Sequence, residues 1–385
     1  MFKIATGASD DIDTDVATQQ ALDSALEGLG GAKPAAAFVL AGTEFDHQVM
    51  VDQLMDALGD DVPLVGCTTA GQFAEDTGFA DDAVSVMLFA SDTIQFAGAL
   101  SHISAGLREA GRDVATQLRT QLGADPQFGL LAPESQGFNH DEVLGGLTEV
   151  LGTHAPFVGG TCGVRPDGSG SAQFFGRQVL QGAIPALGLG GDVLVGTGAG
   201  SGWKAFGDKR TVTRAEGCVV YEIDGVNAYD LMVEQFGGFA RAVAAEYPLA
   251  VHPDPSTDEF YLRAIMAMDE SSRSLVFAAE VPLGSTIRLT SITSEDMLAG
   301  AEASVAEARR NYPGEAPAGL FVVSCVARKW IMGINTMAEH QALQRSAGAL
   351  PVSGFYSSGE IGPIRSNGAL VFHNETCISL ALGQS

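Results

Sequence analysis

The chain reads as an α/β protein of mixed β-sheets with helices packed outside, built from about three related α-β-α-β-β-β units plus a β-rich insert. Three observations predict this. Apolar runs of strand length alternate with helical stretches bounded by capping residues and glycines. One offset of 93 carries Pro63 onto Pro156 and residues 36–42 onto 129–135, and a single offset that aligns several elements marks a duplication. A drifted third copy follows, with Pro63 matching Pro351 at an offset of 288 and its strands aligning nearer 285.

Taken in order, an opening strand leads to a helix over roughly 15–29, capped by Asp13 or Thr14 and ended by Gly30 and Gly31. Residues 35–41 read as a buried strand, 46–58 as a helix and 63–67 as another strand. Strands at 82–90 and 92–100 are separated by a tight turn at Ser91 and Asp92. The order then recurs, with a helix at 104–122, a strand at 128–133, a helix at 140–151 entered from Asn139, a glycine-ended strand at 156–160, and further strands up to Gly200. The third copy has a helix at 294–311, a strand at 320–327, a helix from about 331 to 347, and strands at 369–373 and 376–382. Residues 201–290 form the insert, with one helix at 227–236. The expected division is residues 1–200, holding two repeats, and 201–385, holding the insert and the third repeat.

At 385 residues, 46% hydrophobic and with 48 glycines, the chain has the make-up of a soluble protein rich in tight turns. No apolar run is long enough to span a bilayer, and the first residues lack a secretory signal, so cytoplasm is the expected compartment. Five cysteines, at 67, 162, 218, 325 and 377, show neither CxxC nor zinc spacing, and read as separate thiols. A formal charge of −26 opposes binding to nucleic acid or anionic lipid and suits a basic protein partner.

The candidate chemistry gathers at three glycine-rich turns: residues 63–71, 156–163 and 350–363. Equivalent strand ends are where open α/β sheets bind ligands, so three such turns are expected to line one or two pockets. In the third, Phe355, Tyr356 and Glu360 add recognition groups that turning the chain does not require. Glu360, between Gly359 and Ile361, reads as a buried acid that binds an amine, acts as a base or caps neighbouring amides. Arg328 suits a carboxylate or propionate, or an ion pair with a helix acid. Trp203 walls a pocket or covers the domain junction. Cys325 has no histidine implied nearby and makes a poor nucleophile. The seven histidines show no paired metal spacing; a single one still suffices for haem iron. His252, ending an apolar strand of the insert, is the candidate axial ligand, against the commoner structural role.

Several motifs match a known family in order along nearly the whole chain: Val65-Gly66-Cys67-Thr68-Thr69-Ala70-Gly71, Val158-Gly159-Gly160-Thr161, Gly200-Ser201-Gly202-Trp203, Thr211-Val212-Thr213-Arg214-Ala215-Glu216-Gly217, Glu222-Ile223-Asp224-Gly225, and 354–362. By these the chain resembles the FIST sensory proteins of bacteria, with FIST N and FIST C domains in tandem. The resemblance implies a ligand sensor without enzymatic activity. It also implies b-type haem reporting nitric oxide, held by His252, and a histidine kinase as partner, with a homodimer possible. The second reading is an amino acid or similar metabolite, with Arg328 on its carboxylate, Glu360 on its amine, and Phe355, Tyr356, Trp203, Cys67 and Thr68 around it. A hydrolase using Glu360 or Cys325 is the rival from another class.

Overall fold

A computed structural model describes residues 2–385 apart from 76, 136–138, 154–155, 166–167, 238–245 and 367. His154 therefore lies outside the described residues. The first copy contains β1 (Lys3–Ser9), α1 (Thr14–Leu29), β2 (Ala36–Ala41), α2 (His47–Leu58), β3 (Leu64–Thr68), a hairpin of β4 (Gln72–Ala74) and β5 (Gly78–Ala80), and β6 (Val84–Ala90). The second repeats this order as β7 (Gln95–His102), α3 (Leu107–Leu122), β8 (Phe128–Leu131), α4 (His140–Leu151), β9 (Phe157–Gly160), the hairpin β10 (Gln173–Phe175) and β11 (Gln178–Leu180), and β12 (Ala183–Gly190). The third opens with β13 (Val193–Gly200), which is followed by the insert. The insert comprises β14 (Lys204–Glu216), β15 (Val219–Ile223), β16 (Val226–Asn227), α5 (Ala228–Phe236), β17 (Leu249–His252), β18 (Tyr261–Arg263), β19 (Ile265–Asp269), β20 (Ser274–Phe277) and β21 (Thr286–Ser291). Copy three resumes with α6 (Ser294–Asn311), β22 (Gly319–Cys325), α7 (Val326–Met332), α8 (Met337–Ala347), β23 (Val352–Ser357), the hairpin β24 (Glu360–Pro363) and β25 (Leu370–His373), and β26 (Cys377–Gln384).

Local chemistry sets the helix ends. Asp13, Asp46, Asn139 and Thr293 each accept a backbone N–H of the first turn of α1, α2, α4 and α6, and Gly30 in the left-handed region closes α1. Strands β2, β3, β8, β22 and β23 are buried on both faces, so they read as continuous apolar runs instead of alternating ones.

Three six-stranded mixed sheets result: β1-β6-β2-β3-β10-β11, β7-β12-β8-β9-β24-β25 and β13-β26-β22-β23-β4-β5. The insert is a fourth, antiparallel sheet. In each six-stranded sheet the two strands at one edge come from another copy. Hairpin β4–β5 of copy one joins the sheet of copy three, β10–β11 of copy two joins that of copy one, and β24–β25 of copy three joins that of copy two. This exchange closes a ring. The tight turn at Ser91, whose Oγ accepts from Thr93 and Ile94 N–H, joins two sheets and makes no hairpin, because β6 pairs with β1 and β2 while β7 pairs with β12.

One face of each sheet meets a common core containing Phe38, Leu40, Phe89, Leu130, Leu189, Phe321, Phe355 and Leu380. The other faces bury helices: α1 and α2 over sheet one, α3 and α4 over sheet two, α6 and α8 over sheet three. Alternation along β2 shows the division, with Phe38 and Leu40 inward, and Ala37, Val39 and Ala41 toward α1 and α2.

The parallel pairing fixes the equivalence of the copies. Val39 lies beside Gly66, Leu131 beside Gly159, and Val322 beside Gly354. The offset of 93 therefore holds for the turn strands, while the preceding strand is one residue short of it; Gly42 matches Glu134, not Ser135. A Cβ on Gly66, Gly159 or Gly354 would strike the carbonyl oxygen of Val39, Leu131 or Val322 respectively. Gly354→Ala is expected to destabilise the protein by about 3 kcal/mol or more, because backbone on both sides must part. Urea denaturation checks this; a loss below about 1 kcal/mol would show that the pairing is loose.

Candidate functional site

The three glycine-rich turns converge. Thr68 N donates to Ala172 O at 2.9 Å, Thr161 N to Gly359 O at 2.9 Å, and Tyr356 N to Gly71 O at 2.8 Å. The same bond is thus made three times, from the third strand of one copy to the residue preceding another copy's hairpin. Gly163 N to Thr68 O at 2.7 Å and Ala70 N to Tyr356 O at 3.0 Å complete the lacing. Where a shared pocket was expected, the turns use their polar groups on one another. The core they border has a hollow of about 20 Å³ at the opposite strand ends, beside Gly319 and Pro351, and an open cleft of about 490 Å³ beside the second turn is lined by Arg165, Ser171 and Ala172.

The expected ligand residues lie in this packing. Phe355 is fully buried in the central core, its ring centroid 6.1 Å from that of Phe321. Tyr356 points to the helix side, 4.7 Å from Phe73, and donates to Glu339 Oε2 at 2.5 Å. Cys67 shares the central core, and burial pushes its thiol well up. Thr68 Oγ1 donates to Gly163 O at 2.8 Å. Trp203 is buried beside Met297 and Leu262, at the root of the insert. Arg328 is fully buried and held by the protein: its guanidinium donates to Glu339 Oε1 (2.6 and 2.9 Å), Met297 O and Ser201 O. Burial opposes its charge, but Glu339 outweighs that and raises its pKa. The carboxylate Arg328 binds is therefore Glu339, which takes two of the four guanidinium hydrogen bonds that the protein supplies.

Glu360 differs from its counterparts. Gln72, Gln173 and Glu360 occupy one repeat position, opposite Phe355, Cys67 and Gly160, and all three are fully buried. In copy one Gln72 Nε2 donates to Ala83 O at 2.6 Å, and its Oε1 accepts from Ser85. In copy two Gln173 Oε1 accepts from Ala183 N at 3.1 Å, and its Nε2 donates to Glu134 at 3.2 Å. Glu134 also accepts from the N–H of Ser135 and Gly182 and from Ser171, and although burial works against it, these donors lower its pKa. In copy three Glu360 accepts from Ser357 Oγ at 2.9 Å and Thr376 N at 3.1 Å. Those two donors do not offset the loss of water, and burial pushes its carboxyl up to about 8.

A second acid joins it. Cys325 N donates to Thr376 O as Glu134 N does to Ala183 O, so Cys325 matches Glu134 and Glu375 matches Gly182. Both of the latter hold positive φ, 64° for Gly182 and 55° for Glu375, a conformation that costs glycine little and glutamate about 1 kcal/mol or more. Glu375 is fully buried, and neither carboxylate oxygen has a hydrogen-bond partner. Burial and then the Glu360 charge raise its pKa well above the usual range. The Cys325 thiol is raised by burial and by both acids, which makes it a poor nucleophile. Sequence reading found Glu360 and missed Glu375. The available signal was an acid standing where the second repeat has glycine and the first has Asp82.

His252 ends β17 and is 3% exposed; neither ring nitrogen has a hydrogen bond of ordinary geometry, though the Glu259 backbone approaches the ring. Burial, followed by Lys209, lowers its pKa, and Phe260 lies 5.7 Å away. A free imidazole suits an axial ligand. The nearby cavity beside Leu249, Ile287 and Arg288 measures about 270 Å³ and is not lined by His252, so a porphyrin on this imidazole needs the segment around Phe260 to open. Among the described residues, no cluster of three or more His, Cys, Asp or Glu could hold a metal ion, and no helix is long and apolar enough to cross a membrane.

Comparison with known proteins places this ring of repeats. Residues 35–226 match the FIST N domain and residues 228–363 the FIST C domain. The chain belongs to the FIST family. FIST domains are associated with small-ligand sensing in signalling. The uncharacterized protein Rv0628c of Mycobacterium tuberculosis is 25% identical to this FIST protein over 389 residues, spanning 96% of this chain and 97% of the relative. MJ1623 of Methanocaldococcus jannaschii, also uncharacterized, is 24% identical over 221 residues, covering 54% and 42%. Among solved structures, a cyanuric acid hydrolase from A. caulinodans aligns over both whole chains at 11% identity and a TM-score of 0.36, too loose to bear on activity.

Replacing Glu360 by the glutamine of the other copies tests the electrostatics. A carboxyl whose folded pKa is raised binds a proton that the unfolded chain lacks, so stability falls as pH rises from about 4.5 to about 8. Glu360→Gln should flatten that fall and be the more stable protein at about pH 8.5, by roughly 2–4 kcal/mol, with Glu375 supplying the slope that remains. Urea denaturation across this range measures it. Parallel pH profiles for the two proteins would mean that Glu360 is not held protonated.

Proposed function

We propose that this FIST protein is a non-enzymatic small-ligand sensor whose input site is the Cys325–Glu360–Glu375 cluster, and that its ligand carries a protonated amine. The observation supporting this is the unpartnered, fully buried carboxylate of Glu375 beside Glu360, where copy two uses Gly182 and Gln173. Copy one also has an acid at the Glu375 position, Asp82, but that side chain is exposed, whereas Glu375 is shut away from water. Two adjacent buried carboxyls cannot both ionise without a counter-charge, and an ammonium group supplies that charge together with the donors Glu375 lacks. Arg328 takes no part in contacting the ligand, because Glu339 occupies it.

Entry requires the turn at residues 374–376 to move. That turn is tied to the insert: Ala264 N donates to Asn374 Oδ1 at 3.2 Å, and Arg263 Nη1 to Phe372 O at 2.6 Å. A ligand that favours one position of the turn would shift the insert with it, and such a difference in affinity is all that a sensor transmits. The receiver in this reading is a signalling protein such as a histidine kinase. In a thermal-shift assay near neutral pH, primary amines and amino acids should raise the melting temperature, whereas their neutral hydroxyl analogues should not. Glu375→Gln should abolish the shift. Equal shifts from charged and neutral compounds would overturn the amine reading.

A second reading rests on the free imidazole of His252: b-type haem bound in the insert and reporting nitric oxide. It requires the segment around Phe260 to open. Protein purified from haem-supplemented cells should then show a Soret band that shifts with nitric oxide and is lost in His252→Ala. A colourless protein that takes up no added haem would exclude it.

A further inference from the structure

Copy three departs from the repeat at a second place, and there the departure faces solvent. Between the first core strand and the following helix, copy one has residues 42–46 and copy two residues 132–139. Copy three instead inserts α7 and a 3-10 turn at Gly333–Asn335 before α8 begins. This addition carries Trp330 and Ile334, and Met337 opens α8 directly after it; the three are 69%, 100% and 42% exposed. Large apolar side chains gathered in so short a stretch gain nothing in the free molecule, since water covers them.

The strip is held firmly from below. Arg328 anchors α7 to Glu339 and to the carbonyls of Ser201 and Met297, and Lys329 reaches Ala70 O at 2.7 Å and pairs with Asp81. A surface presented so rigidly loses little entropy on binding, and tryptophan dominates the energetics of many interfaces. Its border is acidic. Gly78, at the start of β5, abuts Met337, and the same hairpin region carries exposed Glu75, Asp81 and Asp82. Lys329 is the basic side chain facing them, and it is spent on Asp81.

We propose that the Trp330–Ile334–Met337 strip docks a partner protein through a basic amphipathic helix, with its apolar face on Trp330 and its lysines or arginines against the acidic border. A second copy of this chain is a poor occupant, because each copy carries a formal charge of −26. The proposal is independent of the ligand reading above, and its test uses the ligand-free full chain. The probe is a fluorescein-labelled helical Leu/Lys peptide followed by anisotropy. A Ser/Lys peptide of equal charge and a Leu/Glu peptide serve as comparators, and sedimentation velocity is run in parallel. The Leu/Lys peptide should bind, should weaken with salt, and should bind roughly tenfold more weakly to Trp330→Ser, whose fold circular dichroism verifies. Both comparators should bind more weakly than it does. Equal binding to Trp330→Ser, equal binding of either comparator, or no binding would overturn the proposal. So would a wild-type dimer that Trp330→Ser dissolves, because the occupant would then be a second copy.

Discussion

The structure depends on one exchange made three times: each copy gives its hairpin to another copy's sheet. The strand before the hairpin is sealed to the neighbouring turn by the same backbone bond in every copy. Because the transfers form a cycle, the hairpins extend all three sheets at the same edge, and the faces turned inward share one core. The central core is closed on three sides and packs tightly at the turn end, where Phe355 and Cys67 are fully buried, so the space next to the turns lies outside it, in the cleft beside Arg165 and Ala172.

Within that closed ring, the cost of burying charge falls unevenly among the copies. Copies one and two finish their turn with glutamines, and the acid of copy two is met by several donors. Copy three carries two acids short of donors, and one of them has a strained backbone. A repeat protein can concentrate such cost in one unit because the other two hold the ring. The same unit carries the long insert, which is hydrogen-bonded to the turn bearing Glu375, and the added helix α7, which begins immediately after Cys325. The groups suited to input and the surfaces suited to output therefore share a few residues of chain.

Much of this was legible in advance, for identifiable reasons. Helix ends at Asp13 and Asn139 follow from local capping chemistry. The glycines at 66, 159 and 354 recur because a carbonyl lies where their Cβ would be, so the repeat showed in the sequence before the sheets were known. Glu360 stood out as an acid in an apolar setting. Arg328 stood out as well, and of its two readings the ion pair with a helix acid is the one realised, with Glu339 as the acid that residue spacing could not single out.

The sequence by itself determined the class, the three repeats, the insert and the residue types at each turn, because these depend on periodicity, caps and turn propensities acting over a few residues. Only the tertiary structure decided which copy receives each hairpin, and therefore that Phe355 and Tyr356 pack into solid cores while Glu375 arrives unpartnered beside Glu360. Those outcomes arise from pairings between residues up to hundreds of positions apart. What selects them is the shared burial of three sheets, a quantity that no single stretch of chain carries.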